Sequence, residues 1–504
     1  MFSRTLWGWI RPAVHSVLAL DLRSLATFRI ALGLILLFDL GVRVTDLGVF
    51  YTDRGVVPRT ALSTTGFATI HVLNGSAWYQ GSLFFVAALA ALALAAGWHT
   101  RAATVASWAL LLSLHGRNPH ILSSADGLLR ALLFWGMFLP LGARWSLDAT
   151  RHVWSFHGIK PKQVASLATC ALLMQVCLLY GCTVILKSGP TWRHEGSAVW
   201  YALQLDSFAT SLGQELLNYP KLLTVLTYAT LVVEAAGPIL LLSPWFVGPI
   251  RIVLVCAFLF FHFGLASCMN LGLFSYVAAA AWLAFLPSCF WDALRCPERL
   301  RAVVGQWCEK ATQSLPPTNA ESPLGMIAQG TLAFCMIYVA LWNVRTIYPN
   351  LSSTIFPRQG NSLGRTFGMG QDWGMFAPNP SKHDGWYVML GQLENGTEID
   401  LMKKAAPHWE TPDLYSAELP NHRWAKFLIN LSEDSMQDYR PHLARYLQQE
   451  WERHAERPRV KAVYIYYLLH RATPALEDRT VEKTLLHSSH FYDRDPTIIA
   501  QSGK

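Results

Sequence analysis

The sequence predicts a polytopic all-α membrane protein with a small α+β domain outside the bilayer at its C-terminal end. Three observations carry that reading. Charged residues make up only 15% of the 504 and hydrophobic types 52%, where an ordinary globular chain is about 25% charged. Apolar runs of roughly 17–24 residues recur before residue 346, long enough to cross a ~30 Å hydrocarbon layer at about 1.5 Å per residue. Beyond Tyr348 these runs stop and a mixed polar and apolar pattern takes over. Soluble proteins bury shorter helices that keep a polar face, so the run length argues against that class.

In chain order the runs are Leu25–Val44, Ser82–Trp98, Ala102–Leu114, Gly127–Leu141, Val164–Leu186, Lys221–Leu242, Ile252–Met269, Phe274–Phe290 and Leu324–Val344. About nine transmembrane helices follow, the third being short for a full crossing. The stretch ahead of the first run carries Arg4, Arg11 and Arg23 and lacks a small-residue cleavage site, so that run reads as a retained helix. Lysine and arginine set the orientation. With the N-terminus inside, inner segments hold about thirteen of them and outer segments about five, the asymmetry of the positive-inside rule. The net charge of +8 is therefore a topology signal rather than a nucleic-acid footprint. With the N-terminus inside, an odd number of crossings puts the C-terminal domain outside the cytoplasm. The division falls into a transmembrane domain, 1–348, and an extracytoplasmic domain, 349–504.

In the second domain Trp386–Leu393 and Thr397–Met402 read as strands joined through Glu394-Asn395-Gly396, where Asn-Gly suits a tight hairpin. Ser435–Glu456 reads as a polar helix with Tyr439, Leu443, Tyr446 and Leu447 on one face, and Val460–Leu468 as a further strand. All nine cysteines fall in the predicted helices or on the inner side. No CxxC or His/Cys set has zinc spacing, and no metal is expected.

Ionisable residues inside membrane helices cost several kcal/mol unless paired or hydrated. Asp39 and Arg43 stand four apart, as do Asp126 and Arg130, a spacing that faces opposite charges toward one another. Both read as structural charge pairs, with a direct functional role as the other option. Glu234 lies near mid-membrane with no partner close in sequence. It either lines a polar cavity or neutralises Arg29 or Arg130. At the outer face Asn118-Pro119-His120 occupies a short turn, Lys187 ends the fifth run, and His262 lies in the seventh. A desolvated lysine can lose its proton and act as a base, with an imidazole or amide to orient a substrate oxygen. The plain alternatives are a lysine that snorkels to the interface and a loop histidine.

At these residues the chain resembles the vitamin K-dependent γ-carboxylase superfamily, in its bacterial branch of HTTM-domain proteins. The blocks are Asp21-Leu22-Arg23-Ser24-Leu25 with Phe28-Arg29, Phe50-Tyr51-Thr52-Asp53-Arg54-Gly55, Asn118-Pro119-His120 and Arg144-Trp145-Ser146-Leu147-Asp148. Lys187 follows with Trp192, Gly196 and Tyr201, then His262 leading to Met269-Asn270-Leu271-Gly272-Leu273-Phe274-Ser275-Tyr276. Last comes the run from Gln371 to Pro380. Their joint order is more specific than any one block. The resemblance implies a lysine base that deprotonates a reduced quinone of vitamin K type, after which oxygen drives carboxylation of a glutamyl residue. It assigns Lys187, His120 and Asn118 to catalysis, although Pro119 stands where the family has an asparagine beside the histidine. It assigns His262, Asn270, Trp192 and Tyr201 to substrate or quinone binding. The partners implied are the lipid bilayer, a quinone and an extracytoplasmic peptide or protein. Two other classes stay open: a transporter or lipid-handling protein whose path is lined by Glu234, Arg29, Asp126 and Arg130, and a non-enzymatic membrane anchor or partner protein.

Overall fold

The computed structural model describes residues 12–62, 69–151, 162–294, 325–351, 360–473 and 481–492. Each apolar run lies on a helix: α1 (Leu22–Thr45), α2 (Ala77–Ala96), α3 (Thr100–Arg117), α4 (Ser124–Gly136), α5 (Leu167–Leu186), α6 (Pro220–Leu241), α7 (Val247–Cys268), α8 (Phe274–Leu283) and α9 (Met326–Ile347). Local chemistry sets their ends. Asp21 caps α1 by accepting from the Arg23 N–H at 2.7 Å. Gly97 ends α2 at φ +70°, with Ser146 and Arg29 packed where a Cβ would sit. Pro220 opens α6, where its missing N–H leaves no bond unmade.

Six of these helices, α1, α2, α5, α6, α7 and α9, are long and apolar enough to cross a membrane. That is fewer than the expected number. α3 carries His115 and Arg117 and is too polar. α4 and α8, with 13 and 10 residues, reach only about 20 and 15 Å. Both are buried along most of their length, so neighbouring helices shield them. α1 and α5 bury 50% and 56% of their apolar windows, whereas α2 buries 22% and α6, α7 and α9 each bury 28%. The first two are therefore central. The others turn side chains such as Phe85, Val232, Phe260 and Phe334 outward as a rim suited to lipid.

The helices alternate in direction. On one face Arg23 at the start of α1 and Lys162 ahead of α5 both reach Asp292 beyond α8, at 2.8 and 3.2 Å. Arg29 joins them there by bonding the carbonyls of Ala95 in α2 and Leu141 beyond α4. On the opposite face Asp46 after α1, Ile121 between α3 and α4, and Gly272 between α7 and α8 all meet the start of one helix exterior to the bundle, α10 (His422–Leu431).

After α9 the chain packs back onto the bundle before it forms the exterior sheet. Gln371 donates to Gln175 at 2.7 Å and accepts from Asn343 at 3.0 Å, and Trp373 enters the bundle core. Four antiparallel strands then form, β1 (His383–Leu393), β2 (Glu398–Asp400), β3 (Val460–Arg471) and β4 (Val481–His490), in the order β2-β1-β3-β4. The expected hairpin is present, with Gly396 at φ +80° in its turn. The expected helix Ser435–Glu456 begins as a 3₁₀ turn, Asp434–Tyr439, and continues as α11 (Arg440–Glu452), because Pro441 suits a helix start and not an interior. Sequence reading missed α10 and β4. α10 is short, and its apolar face, Trp424, Phe427, Leu428 and Leu431, packs in one cluster with Phe50 beyond α1. The seven described cysteines are free thiols, and Cys296 and Cys308 lie outside the described residues.

Candidate functional site

Ser166 opens α5 by bonding the Thr169 N–H, and the other end of the helix delivers Lys187. The Lys187 Nζ donates to both carboxylate oxygens of Glu234 on α6, at 2.8 and 2.7 Å. Their side chains are 5% and 7% exposed. The Trp192 ring covers the ammonium at 4.5 Å, and the Trp192 indole N–H donates to the Phe376 carbonyl at 2.8 Å. Glu234 thus has a partner after all, and it is neither Arg29 nor Arg130. Arg29 donates instead to four carbonyls, those of Leu141, Arg144, Ala95 and Trp145.

Tyr180 lies two turns before Lys187 on α5. The Trp282 indole N–H donates to its hydroxyl oxygen at 3.0 Å, and the hydroxyl meets His262 Nε2 at 2.7 Å. With Trp282 donating in, the hydroxyl proton is best used toward Nε2, which puts the imidazole proton on Nδ1. That Nδ1 is buried without a hydrogen-bond partner. Around it stand the rings of Phe258, Phe261 and Phe274, with centroids 5.2–6.4 Å from the imidazole.

A second charged cluster forms where α10 meets the bundle. Arg43 donates to Asp39 at 2.8 Å and to Asp126 at 2.6 Å. Arg423 closes the ring from the exterior domain, donating to Asp39 and Asp126 at 2.6 Å each. All four side chains are at most 1% exposed. The first expected pair, Asp39 with Arg43, is therefore present, and the second is replaced. Asp126 accepts from the Ser123 N–H at 2.7 Å in a capping box. That bend turns the carboxylate toward the helix start and away from position i+4. Arg130 turns to His115 Nδ1 at 2.8 Å and to the Gly368 carbonyl at 2.9 Å. Beside the ring, burial pushes the His422 imidazole down to about 4.

The remaining expected site residues fall in different places. Asn118 donates to the Phe50 carbonyl at 3.1 Å and accepts from the His120 N–H at 3.1 Å. The His120 ring lies 4.5 Å from that of Tyr439. Neither residue shares a described contact with Lys187. Asn270 donates its backbone N–H to Phe208 at 2.6 Å and is exposed. Tyr201 is buried under the Lys382 ammonium, 4.3 Å from its ring. Sequence reasoning missed Tyr180, Trp282 and Arg423. Tyr180 alone left a signal, its seven-residue spacing from Lys187 on one helix face.

The profile of one protein family, the HTTM domain, matches residues 18–290, over half of the chain. No curated protein and no solved structure is matched.

Proposed function

The chain belongs to the HTTM-domain family, and from that premise we propose that it is a membrane enzyme using a quinol and oxygen, with Lys187 as base. The family is allied to the vitamin K-dependent carboxylases, so carboxylation of glutamyl residues on an extracytoplasmic peptide is the reaction class in view. One observation carries the reading: the Lys187–Glu234 couple is buried beside an aromatic cluster. An ammonium and a carboxylate can exchange a proton, as a guanidinium cannot. A proton passing from ammonium to carboxylate leaves two neutral groups, which a low-dielectric site tolerates better than separated charges. The freed amine is then a base for an acidic hydroxyl placed against it, and Trp192 screens it from water. Glu234 takes the assisting role that sequence reasoning gave to His120.

The residues fit a quinol. His262 offers a buried Nδ1 with no partner, suited to a ring oxygen, and Phe258, Phe274 and Trp282 supply apolar walls. A bound quinol supplies the electrons that reduce oxygen. The protein's part is to hold the ring, orient its hydroxyl and move one proton between Lys187 and Glu234.

Alternating helix direction supports nine crossings, with α3, α4 and α8 passing through in the company of longer neighbours. The exterior domain then faces the periplasm and the N-terminus the cytoplasm of a plasma (inner) membrane. The full pairing of Lys187 favours a second reading, a non-enzymatic anchor or partner protein in which the couple only fixes α5 against α6. A transporter path along Arg29 and Asp126 fits less well, because both are tied into closed sets of bonds.

Mass spectrometry of host proteins separates these readings. Carboxylated glutamate is expected with the wild-type chain and not with Lys187→Arg or without the chain. Quinol consumption by membranes, measured on the same three samples, tests the coarser reading. No difference among the samples in either measurement overturns the enzyme.

A further inference from the structure

The exterior sheet meets the segment behind Lys187 at a mixed cluster. Asp384 on β1 and His470 on β3 are register partners. Asp206 reaches them from between the short helices Ala198–Leu203 and Ser211–Leu216. All three residues are buried, and one ligand atom from each lies within 4.8 Å of the other two. His470 Nε2 stands 3.4 Å from Asp206 Oδ2. That is long for a hydrogen bond. It agrees with the separation of about 3.3–3.4 Å between two donors that share a tetrahedral cation at about 2.0–2.1 Å. Buried carboxylates cost free energy, and a cation held between two of them offsets that cost.

Trp386 adds an independent observation. It lies two residues beyond Asp384 on the same face of β1, with its ring 6.0 Å from that of His470. Its Nε1–H is buried with no hydrogen-bond acceptor. An indole nitrogen only donates, so this atom, on a ring packed beside His470, leaves a donor open to an oxygen such as a water held by a cation. Ser207 meanwhile orients Asp384, donating its hydroxyl at 2.6 Å and its backbone N–H at 2.9 Å.

We propose that Asp206, Asp384 and His470 bind a divalent transition-metal cation, of the kind that accepts carboxylate and imidazole together. The ion ties the exterior sheet to the segment that also carries Trp192 and Tyr201. Its role is to hold the domain against the bundle, independent of any reaction at Lys187.

The test uses the full chain in detergent, stripped by a chelator and titrated separately with Zn²⁺ and Mn²⁺, followed by metal analysis and thermal melting. Wild type is expected to retain one more ion per chain than His470→Gln or Asp206→Asn, and to melt higher with metal where neither variant responds. Tryptophan fluorescence of the metal-free samples checks folding, and if one variant does not fold the other decides. Equal metal content and equal melting response in wild type and the folded variants overturns the proposal. Lys187 is intact throughout, so this outcome is distinct from failure of the enzyme reading.

Discussion

The Lys187–Glu234 couple and the ring of Asp39, Arg43, Asp126 and Arg423 are both buried, yet they are built to behave differently. The ring alternates two carboxylates with two guanidinium groups, each guanidinium bonded to both carboxylates. Arginine does not lose its proton in proteins, so the ring can only stay charged and stay closed. The couple joins two groups that can both become neutral by passing one proton. Arg423 also comes from the exterior domain, whereas Lys187 and Glu234 both belong to the bundle. The ring thus suits a fastening between domains, and the couple suits chemistry.

Lys187→Arg makes the largest break in that contrast. It turns the couple into a pair that cannot neutralise itself. We expect expression and melting close to wild type and a loss of quinol-linked activity of about 10²–10⁴-fold, the usual contribution of a positioned base. Activity within twofold of wild type would reduce the couple to another fastening.

Arg423→Leu acts on the ring. It leaves the two buried carboxylates with Arg43 as the ring's one guanidinium, and loss of one partner in such a set costs about 3–5 kcal/mol. The double variant Arg423→Leu with Asp126→Asn restores a neutral Asp39–Arg43 pair and is expected to lose less than the single one. Denaturant melts of both, with limited proteolysis of the exterior domain, read the difference. A double variant less stable than the single would mean that the ring is hydrated.

A smaller effect sharpens the comparison directly. Glu234→Gln and Asp126→Asn each remove one buried carboxylate charge while keeping its shape. Lys187 can respond by shedding its proton, whereas Arg43 and Arg423 cannot. Melting should therefore show about 1–2 kcal/mol lost for Glu234→Gln against about 3–5 kcal/mol for Asp126→Asn. Equal losses would erase the distinction.

The effect that vanishes at neutral pH is a pH slope beside the ring. Burial lowers His422 from its ordinary value to about 4. The unfolded chain therefore binds a proton that the folded chain refuses. His422 contributes no loss above pH ~6.5 and destabilises as pH falls from there toward 4, by at most about 1.4 kcal/mol per pH unit. His422→Gln should flatten stability measured across that window. An unchanged slope would show that His422 already meets water.

Much of the architecture needed only the sequence. Apolar runs longer than a soluble helix can hide require lipid, and each such run is a helix. Asn395-Gly396 marked its hairpin because few other pairs accept that turn. Lys187, Glu234, His262, Asp39 and Arg43 stood out for one reason, the cost of a polar group in an apolar run. What each of them bonds was decided by tertiary structure. Lys187 and Glu234 are 47 residues apart, and Arg423 reaches Asp39 across 384, distances at which no local period leaves a trace. The i,i+4 rule placed Arg43 correctly and failed for Asp126, because a capping bond to Ser123 overrode helical spacing. The Asp206, Asp384 and His470 cluster had no sequence spacing to reveal it, since a strand pairing and an outer segment bring its members together. Periodicity and burial cost are local properties that a sequence states outright. Which charge neutralises which depends on how helices pack, and only the folded chain holds that information.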